Sequence, residues 1–251
     1  MSGARRAKAL LLAAGLGTRL RPLTDLLPKC LVDIAGRPLL DYWFEALAEV
    51  GIRDALVNTY HLPEQVRLFI AEKNRLGFRA VEAFEEKLRG SAGTIAANLA
   101  WGSGADDVVI VYADNLSDVS LAELLAAHRQ YGDPVTMLLF RTPNPSACGI
   151  AELDANGRVA AFEEKPAAPK SDLANGGVYA VTAAAWREIA AMKAFDLGFD
   201  VLPRFVGRMR GFIHRGYHRD IGDQAALAAA REAAPKVFGS RFKQRTERAQ
   251  R

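Results

Sequence analysis

A doubly wound α/β sheet is the fold class that this sequence predicts, and three observations lead to it. Short apolar segments alternate with segments of helical period through the first 131 residues, the pattern of strands joined by crossover helices. An early apolar run, Ala9 to Ala14, breaks into a glycine turn, Gly15-Leu16-Gly17-Thr18-Arg19. Beyond residue 148 the pattern changes, and Asp154-Ala155-Asn156-Gly157 between two short apolar runs signals a hairpin. The expectation is a mixed sheet, Rossmann-like in its first half and partly antiparallel in its second.

Residues 8–13 read as the first strand. Residues 38–50 read as a helix, with Leu39, Leu40, Trp43, Phe44 and Leu47 on one face. Strand 54–58 and helix 63–75 follow, then strand 77–84 and a helix opening over 94–101. Residues 107–112, DVVIVY, form a buried central strand with Asp114 just beyond its carboxyl end. Helix 120–131 and strand 135–141 come next, and the hairpin pairs 149–153 with 158–163. Strand 176–181, helix 183–191, strand 211–217 and helix 223–234 complete the pattern. No repeat or linker divides the chain, so residues 1–235 are expected as one domain and 236–251 as a basic tail.

Composition narrows the function. The 251 residues are half hydrophobic and one quarter charged, ordinary for a soluble globular protein. The net charge is +4, but residues 236–251 carry +5 of it, leaving about −1 for the rest. The pI of 9.1 therefore reflects a tail, which is expected to be a solvated end with no nucleic-acid partner. Cys30 and Cys148 are too sparse for a disulfide framework. No apolar run has the length of a membrane span, and MSGARRAK lacks the apolar core of a signal peptide. The expectation is a cytoplasmic protein with no membrane partner; a homo-oligomer is compatible with the sequence.

In an open α/β sheet, ligands sit outside the carboxyl ends of the strands. A strand ending in small residues lets backbone N–H groups reach a phosphate, and Arg19 and Lys29 would add positive charge beside it. Asp114, the loop 163–166 and Asp220 fall at the same edge. Two carboxylates distant in sequence beside a phosphate turn suit a Mg²⁺ ion that keeps most of its waters. Taken alone, Asp114 could equally cap a turn, and Asp220 could cap the last helix, although Asp223 is better placed for that.

The strings GLGTRLRPLT at 15–24, PKCL at 28–31 and GRPLL at 36–40 together resemble the signature of the sugar-1-phosphate nucleotidyltransferases. Further segments extend the likeness: Gly90-Ser91-Ala92-Gly93, Tyr112-Ala113-Asp114-Asn115, Phe162-Glu163-Glu164-Lys165-Pro166, Ala174-Asn175-Gly176-Gly177 and Asp220-Ile221-Gly222. The chain departs from the pattern at Ala113, where Gly is usual, and at Asp223, where Thr is usual. The resemblance implies the nucleotide-diphospho-sugar transferase fold, a single domain with a sugar-binding half. It implies Mg²⁺-dependent transfer of a nucleoside monophosphate from an NTP to a sugar 1-phosphate such as a mannose or heptose phosphate.

The same resemblance distributes roles among residues. Arg19, Lys29, Asp114 and Asp220 are the implied catalytic set, with Asp114 and Asp220 the metal ligands. Ala13, Ala14, Gly15, Gly17, Thr18, Glu85, Gly90 and Ser91, with Arg19, Lys29 and Asp114, would hold the nucleotide. Asn115, Gly149, Glu164, Lys165 and Asn175 would hold the sugar phosphate. A carboxylate at Glu85 can accept from the N1–H and N2–H₂ of guanine, whereas uracil and thymine offer one donor between acceptors. GTP is therefore the favoured nucleotide. The alternatives are a thymidylyl- or uridylyltransferase of the same family, or a non-catalytic NDP-sugar-binding homologue. His61, His128, His214 and His218 show no ligand spacing and read as structural.

Overall fold

Strand β1 (Ala7–Leu12) lies between β6 (Asp107–Tyr112) and β4 (Asp54–Thr59), parallel to both, and β5 (Arg79–Phe84) continues the parallel run. This computed structural model describes residues 5–249, with side chains described as far as Gly239. Between β1 and β4 come the single-turn helix α1 (Leu23–Leu26), the short pair β2 (Asp33–Ile34) and β3 (Arg37–Pro38), and α2 (Leu39–Glu49). Helix α3 (Pro63–Arg75) links β4 to β5, and α4 (Gly90–Ala97) and α5 (Leu99–Gly102) lead into β6. Then follow β7 (Asn115–Ser117), α6 (Leu121–Tyr131) and β8 (Val135–Arg141).

The second half reverses direction. Strands β9 (Gly149–Leu153) and β10 (Val159–Glu164) form the expected hairpin. The long β11 (Leu173–Thr182) runs antiparallel to β6, β8 and β9, and so joins the two halves into one nine-stranded sheet. Helix α7 (Ala183–Ala191), β12 (Met209–Ile213) parallel to β8, β13 (His218–Asp220) and α8 (Gln224–Ala249) complete the fold. The doubly wound mixed sheet is as the sequence predicted.

The period-2 alternation of each strand divides the core. Ala9, Leu11, Val109 and Val111 face one layer with Trp43, Phe44, Phe69 and Leu124 from α2, α3 and α6. Leu10, Val108 and Ile110 face the opposite layer with Ile95, Trp186 and Ile189 from α4 and α7. Because both faces are covered, β6 is apolar at every position from Val108 to Val111, as buried parallel strands are. A third cluster, including Leu20, Tyr42, Leu116, Ile221 and Phe238, seats α8 against the edge that carries the glycine turn.

Three differences from the sequence reading have a clear physical cause or consequence. The helix expected at 94–101 starts earlier, at Gly90, and breaks at Asn98 into α4 and α5. The strand expected at 211–217 is two strands, because the Asp118 carboxylate takes His214 Nε2 at 2.8 Å and the Tyr217 N–H at 2.8 Å and folds 214–217 into a turn. The last helix, expected to end at residue 234 ahead of Pro235, continues to Ala249. Phe238 lies buried with its ring edge-on to Tyr42 at 4.9 Å, so burial holds the helix past the proline. Asp223 caps this helix as expected, accepting from the Ala226 N–H at 2.8 Å.

A buried ion cluster fixes α2 against α3. Arg37 donates to Asp41 Oδ2 through Nε and Nη2 at 2.9 and 2.7 Å, and Lys73 Nζ contacts the other oxygen. Burial alone would raise the Asp41 carboxyl, but Lys73 and Arg37 outweigh it and hold the pKa at about 2. That stabilisation is complete above the unfolded carboxylate value of about 3.9 and fades as pH falls toward 2. Asp41→Ala removes the partner shared by two buried cations, of which Arg37 keeps Glu45 at 2.8 Å, and is expected to cost about 3–5 kcal/mol. Urea unfolding at neutral pH measures it; a loss below about 1 kcal/mol would mean that the cluster adds little to stability.

Candidate functional site

The glycine turn follows directly from β1. Gly17 adopts φ +62°, and a Cβ there would stand 2.8 Å from Thr24 Cγ2, so this position requires glycine on both counts. Gly15 is different: a Cβ there would meet nothing of the protein within 4 Å. The open space beside it is room for a ligand. Among the described residues, the N–H groups of Ala14, Gly15, Leu16 and Gly17 donate to no protein acceptor. Ala13 is the exception, since its N–H donates to Asn58 Oδ1 at 2.6 Å.

Two carboxylates and a lysine meet at the carboxyl edge of the sheet. Strand β13 pairs with β7 so that Asp220 lies opposite Asn115, and the Ile221 N–H donates to the Asp114 carbonyl at 2.9 Å. This pairing sets the Asp114 and Asp220 side chains next to each other. Lys29, which is 7% exposed, reaches Asp114 Oδ2 at 2.6 Å and Asp220 Oδ1 at 3.4 Å. Burial works against the ammonium, but the two carboxylates overcome it and raise the Lys29 pKa. Asp220 is raised by its own burial and by the nearby Asp114 charge, against the pull of Lys29 and Arg19. A Cβ at Gly222 would lie 2.9 Å from Arg19 Nη2 and 3.0 Å from Asp220 Oδ2, so glycine leaves room for both side-chain ends.

A cavity of about 280 Å³ opens from Asp114 and Asp220 toward Lys165, Glu164 and Asn175. Gly149 packs against Glu164; a Cβ there would sit 2.4 Å from its Oε2. Burial raises the Glu164 carboxyl, and the Asp196 charge adds to this. Lys165 holds a left-handed conformation at φ +51° and donates its N–H to the Cys148 carbonyl at 3.0 Å. Strain of this kind collects where a side chain must be aimed; here the ammonium lies 6.0 Å over the Phe199 ring. A bulge in β11 between Asn175 and Tyr179 turns the Asn175 amide onto the Tyr179 hydroxyl. Asn115 lines the same cavity but spends its Nδ2 on the Gly176 carbonyl at 3.2 Å, so it holds the wall.

The residue assigned to the base has another task. Glu85 is 2% exposed, and its Oε1 accepts from Asn58 Nδ2 at 3.0 Å and from the Thr94 hydroxyl at 2.5 Å. Its Oε2 accepts from the Arg89 N–H at 2.9 Å. Three of about four acceptor positions of the carboxylate are thus filled. The sequence reading of a Glu85 open to two guanine donors is corrected accordingly. Asn58 passes the restraint on to Ala13, so Glu85 joins the glycine turn to the start of α4. Glu85→Ala is expected to cost about 1–3 kcal/mol of stability whichever base is used. Urea unfolding checks this, and a change below about 0.5 kcal/mol would remove the bracing role.

Gly90 and Ser91, expected at the nucleotide, form the first residues of α4. A Cβ at Gly90, at φ +73°, would sit 2.2 Å from the Phe195 carbonyl. The Ser91 hydroxyl donates to Asp196 Oδ2 at 3.2 Å and accepts from the Leu197 N–H at 2.8 Å. Asp196, Gly198 and Phe199, around the π-helical segment Leu197–Val201, also line the cavity with Lys165. Sequence reasoning missed this segment, which carries no pattern of its own. His218 was read as structural, yet it forms cavity wall, with its ring 4.5 Å from Phe140. Burial lowers its pKa to about 3, so it is neutral at physiological pH.

Together these groups place one ammonium and two carboxylates at the mouth of a cavity that has a second lysine, Lys165, in its wall. Among the described residues no three His, Cys, Asp or Glu side chains converge as a metal cage. Two adjacent carboxylates open to a cavity instead fit a hard cation that takes its remaining ligands from water and phosphate. Among the same residues, no helix is long and apolar enough to cross a membrane.

A family profile described as nucleotidyl transferase matches residues 8–236. Among curated proteins, a probable mannose-1-phosphate guanylyltransferase of Oryza sativa is 32% identical over 86% of this chain and 61% of its own length. A glucose-1-phosphate thymidylyltransferase of Streptomyces antibioticus is 36% identical over 88% of this chain and 64% of its own. A UTP–glucose-1-phosphate uridylyltransferase of Synechocystis is 31% identical over 79% and 55%. The chain thus spans just over half to two thirds of the length of these relatives. A crystal structure described as a Bacillus anthracis glucose-1-phosphate thymidylyltransferase superimposes with a TM-score of 0.81 at 23% identity, over 91% of this chain and 95% of that one. That likeness concerns the fold.

Proposed function

The chain belongs to the nucleotidyl transferase family, with enzymes of sugar 1-phosphates as its relatives, and from that premise we propose that it joins an NTP to a sugar 1-phosphate. The products are an NDP-sugar and pyrophosphate. The observation that carries this reading is Lys29 held between Asp114 and Asp220, with the Lys165 cavity opening from both carboxylates. A phosphate binder with one subsite would not need a second lysine across that cavity.

The chemistry asks little of a general base. A sugar 1-phosphate has its second pKa near 6, so its oxygen is already anionic at neutral pH. That oxygen attacks the α-phosphorus; the new P–O bond forms as the bond to the bridging oxygen breaks, and pyrophosphate leaves with the electron pair. The protein must align two anions and neutralise the charge on the phosphoryl oxygens. In this reading the open N–H groups of the glycine turn and Arg19 hold the triphosphate, Lys29 faces the reacting phosphate, and Lys165 holds the sugar phosphate. Asp114 and Asp220 would hold Mg²⁺, which when bound supplies further charge neutralisation between the phosphates.

For the nucleotide we propose GTP, supported by the guanylyltransferases among the relatives. Uridylyl- and thymidylyltransferases are also among them, so a competition of GTP, UTP, dTTP, CTP and ATP decides it. Preference for UTP or dTTP would overturn the guanine choice and leave the transfer reaction standing. Lys165→Ala is expected to raise the KM for the sugar 1-phosphate by about 10-fold or more while the KM for NTP changes little. Steady-state kinetics with each substrate varied separately tests this. Equal effects on both would contradict two separate subsites.

A further inference from the structure

The cavity that holds Lys165 does not end at the sugar side. A second, larger space of about 770 Å³ lies beyond it, between the loop before Gly149 and the turn after β12. The two share Phe140, Ala147, Cys148, His218 and Asp220 as walls. The side chains at the junction are small on one side, a methyl at Ala147 and a thiol at Cys148. On the other side is His218, whose Nδ1 is buried with no hydrogen-bond partner in the protein.

The charge of the outer space is lopsided. Arg141, Arg215 and Arg219 line it, and Asp220 is its one acid, already facing Lys29. Arg141 is paired with Asp172, and His214 with Asp118. Arg215 and Arg219 have neither an ion pair nor a side-chain hydrogen bond among the described residues. Two uncommitted guanidinium forks in one concave space suit a carboxylate or a phosphate, which such forks bind in paired hydrogen bonds.

We propose that the sugar 1-phosphate taken by this protein carries a second anionic group, on a substituent that passes Ala147 and Cys148 and ends at Arg215 and Arg219. The inference rests on the nucleotidyl transfer reading and specifies the substrate class of that site. A plain hexose 1-phosphate fills only the inner cavity of about 280 Å³ and leaves both arginines solvated. A carboxylate or phosphate at the far end replaces that water with charge-assisted bonds and lowers KM.

The test measures pyrophosphate release with glucose and mannose 1-phosphates against the 6-phosphate, the 6-carboxylate and the 3-O-carboxymethyl ether of each. The expected result is a kcat/KM at least about 10-fold higher for one doubly anionic form than for its unsubstituted parent. Which form wins distinguishes phosphate from carboxylate and fixes the direction of the substituent. Arg215→Gln and Arg219→Gln should each remove most of that advantage while changing turnover of the unsubstituted parent less than about threefold. Unsubstituted parents that match or exceed every form with a second anionic group would overturn the proposal, as would an advantage that survives both substitutions. If no sugar 1-phosphate of either kind reacts with any NTP, the transfer reading itself fails, and this inference falls with it.

Discussion

Alanine in place of Lys29 is expected to lower kcat by about 10²- to 10³-fold, the scale of removing one aimed donor from a dry phosphoryl site. The ammonium is the group common to both carboxylates, at 2.6 Å from Asp114 and 3.4 Å from Asp220. Its loss also leaves Asp114 and Asp220 to repel each other across the space it filled. Lys29→Arg should recover little, since a planar fork cannot replace a compact charge in a slot that is only 7% exposed. Single-turnover kinetics separates the chemical step from binding. A Lys29→Ala enzyme within threefold of wild type would place the reacting phosphate elsewhere.

The second large effect is expected at the carboxylates. Asp114→Asn and Asp220→Asn each keep the shape and remove one negative charge. Each should reduce turnover at saturating Mg²⁺ by about 10²-fold or more and raise the Mg²⁺ concentration needed for half-maximal rate. Asp114→Asn also removes the closer partner of Lys29, so it should be the more damaging of the two. Isothermal titration with Mn²⁺ provides a readout independent of turnover. A variant with unchanged rate and unchanged metal dependence would return that aspartate to a purely local role.

The sequence was most legible where one residue type had one task. The continuous apolar run within 107–112 suits a strand buried on both faces, and the structure places it there. Gly15, Gly17, Lys29, Asp114 and Asp220 stood out because phosphate and cation chemistry restricts which residues can serve. The approach of Asp220 to Asp114 then follows from β13 pairing with β7, a contact across about a hundred residues that no local pattern encodes. Asp196 and His218 were not legible for the same reason. Each reaches the cavity by tertiary packing, Asp196 from a π-helical turn held to Ser91, His218 by stacking on Phe140. Glu85 shows the opposite case. Its residue type suited a base, but Asn58, Thr94 and the Arg89 N–H had already taken most of its lone pairs. Pro235 likewise promised a helix end that the burial of Phe238 against Tyr42 overrode.

The account rests on two subsites meeting at Lys29 and its two carboxylates, and the stoichiometry of the reaction tests that most directly. Wild-type protein is incubated with NTP alone, with sugar 1-phosphate alone and with both, and the products are resolved by mass. The predicted result is one pyrophosphate for each NDP-sugar formed, with neither appearing unless both substrates are present. Pyrophosphate released from NTP alone, or folded protein that forms no NDP-sugar with any nucleotide and sugar phosphate, would contradict it.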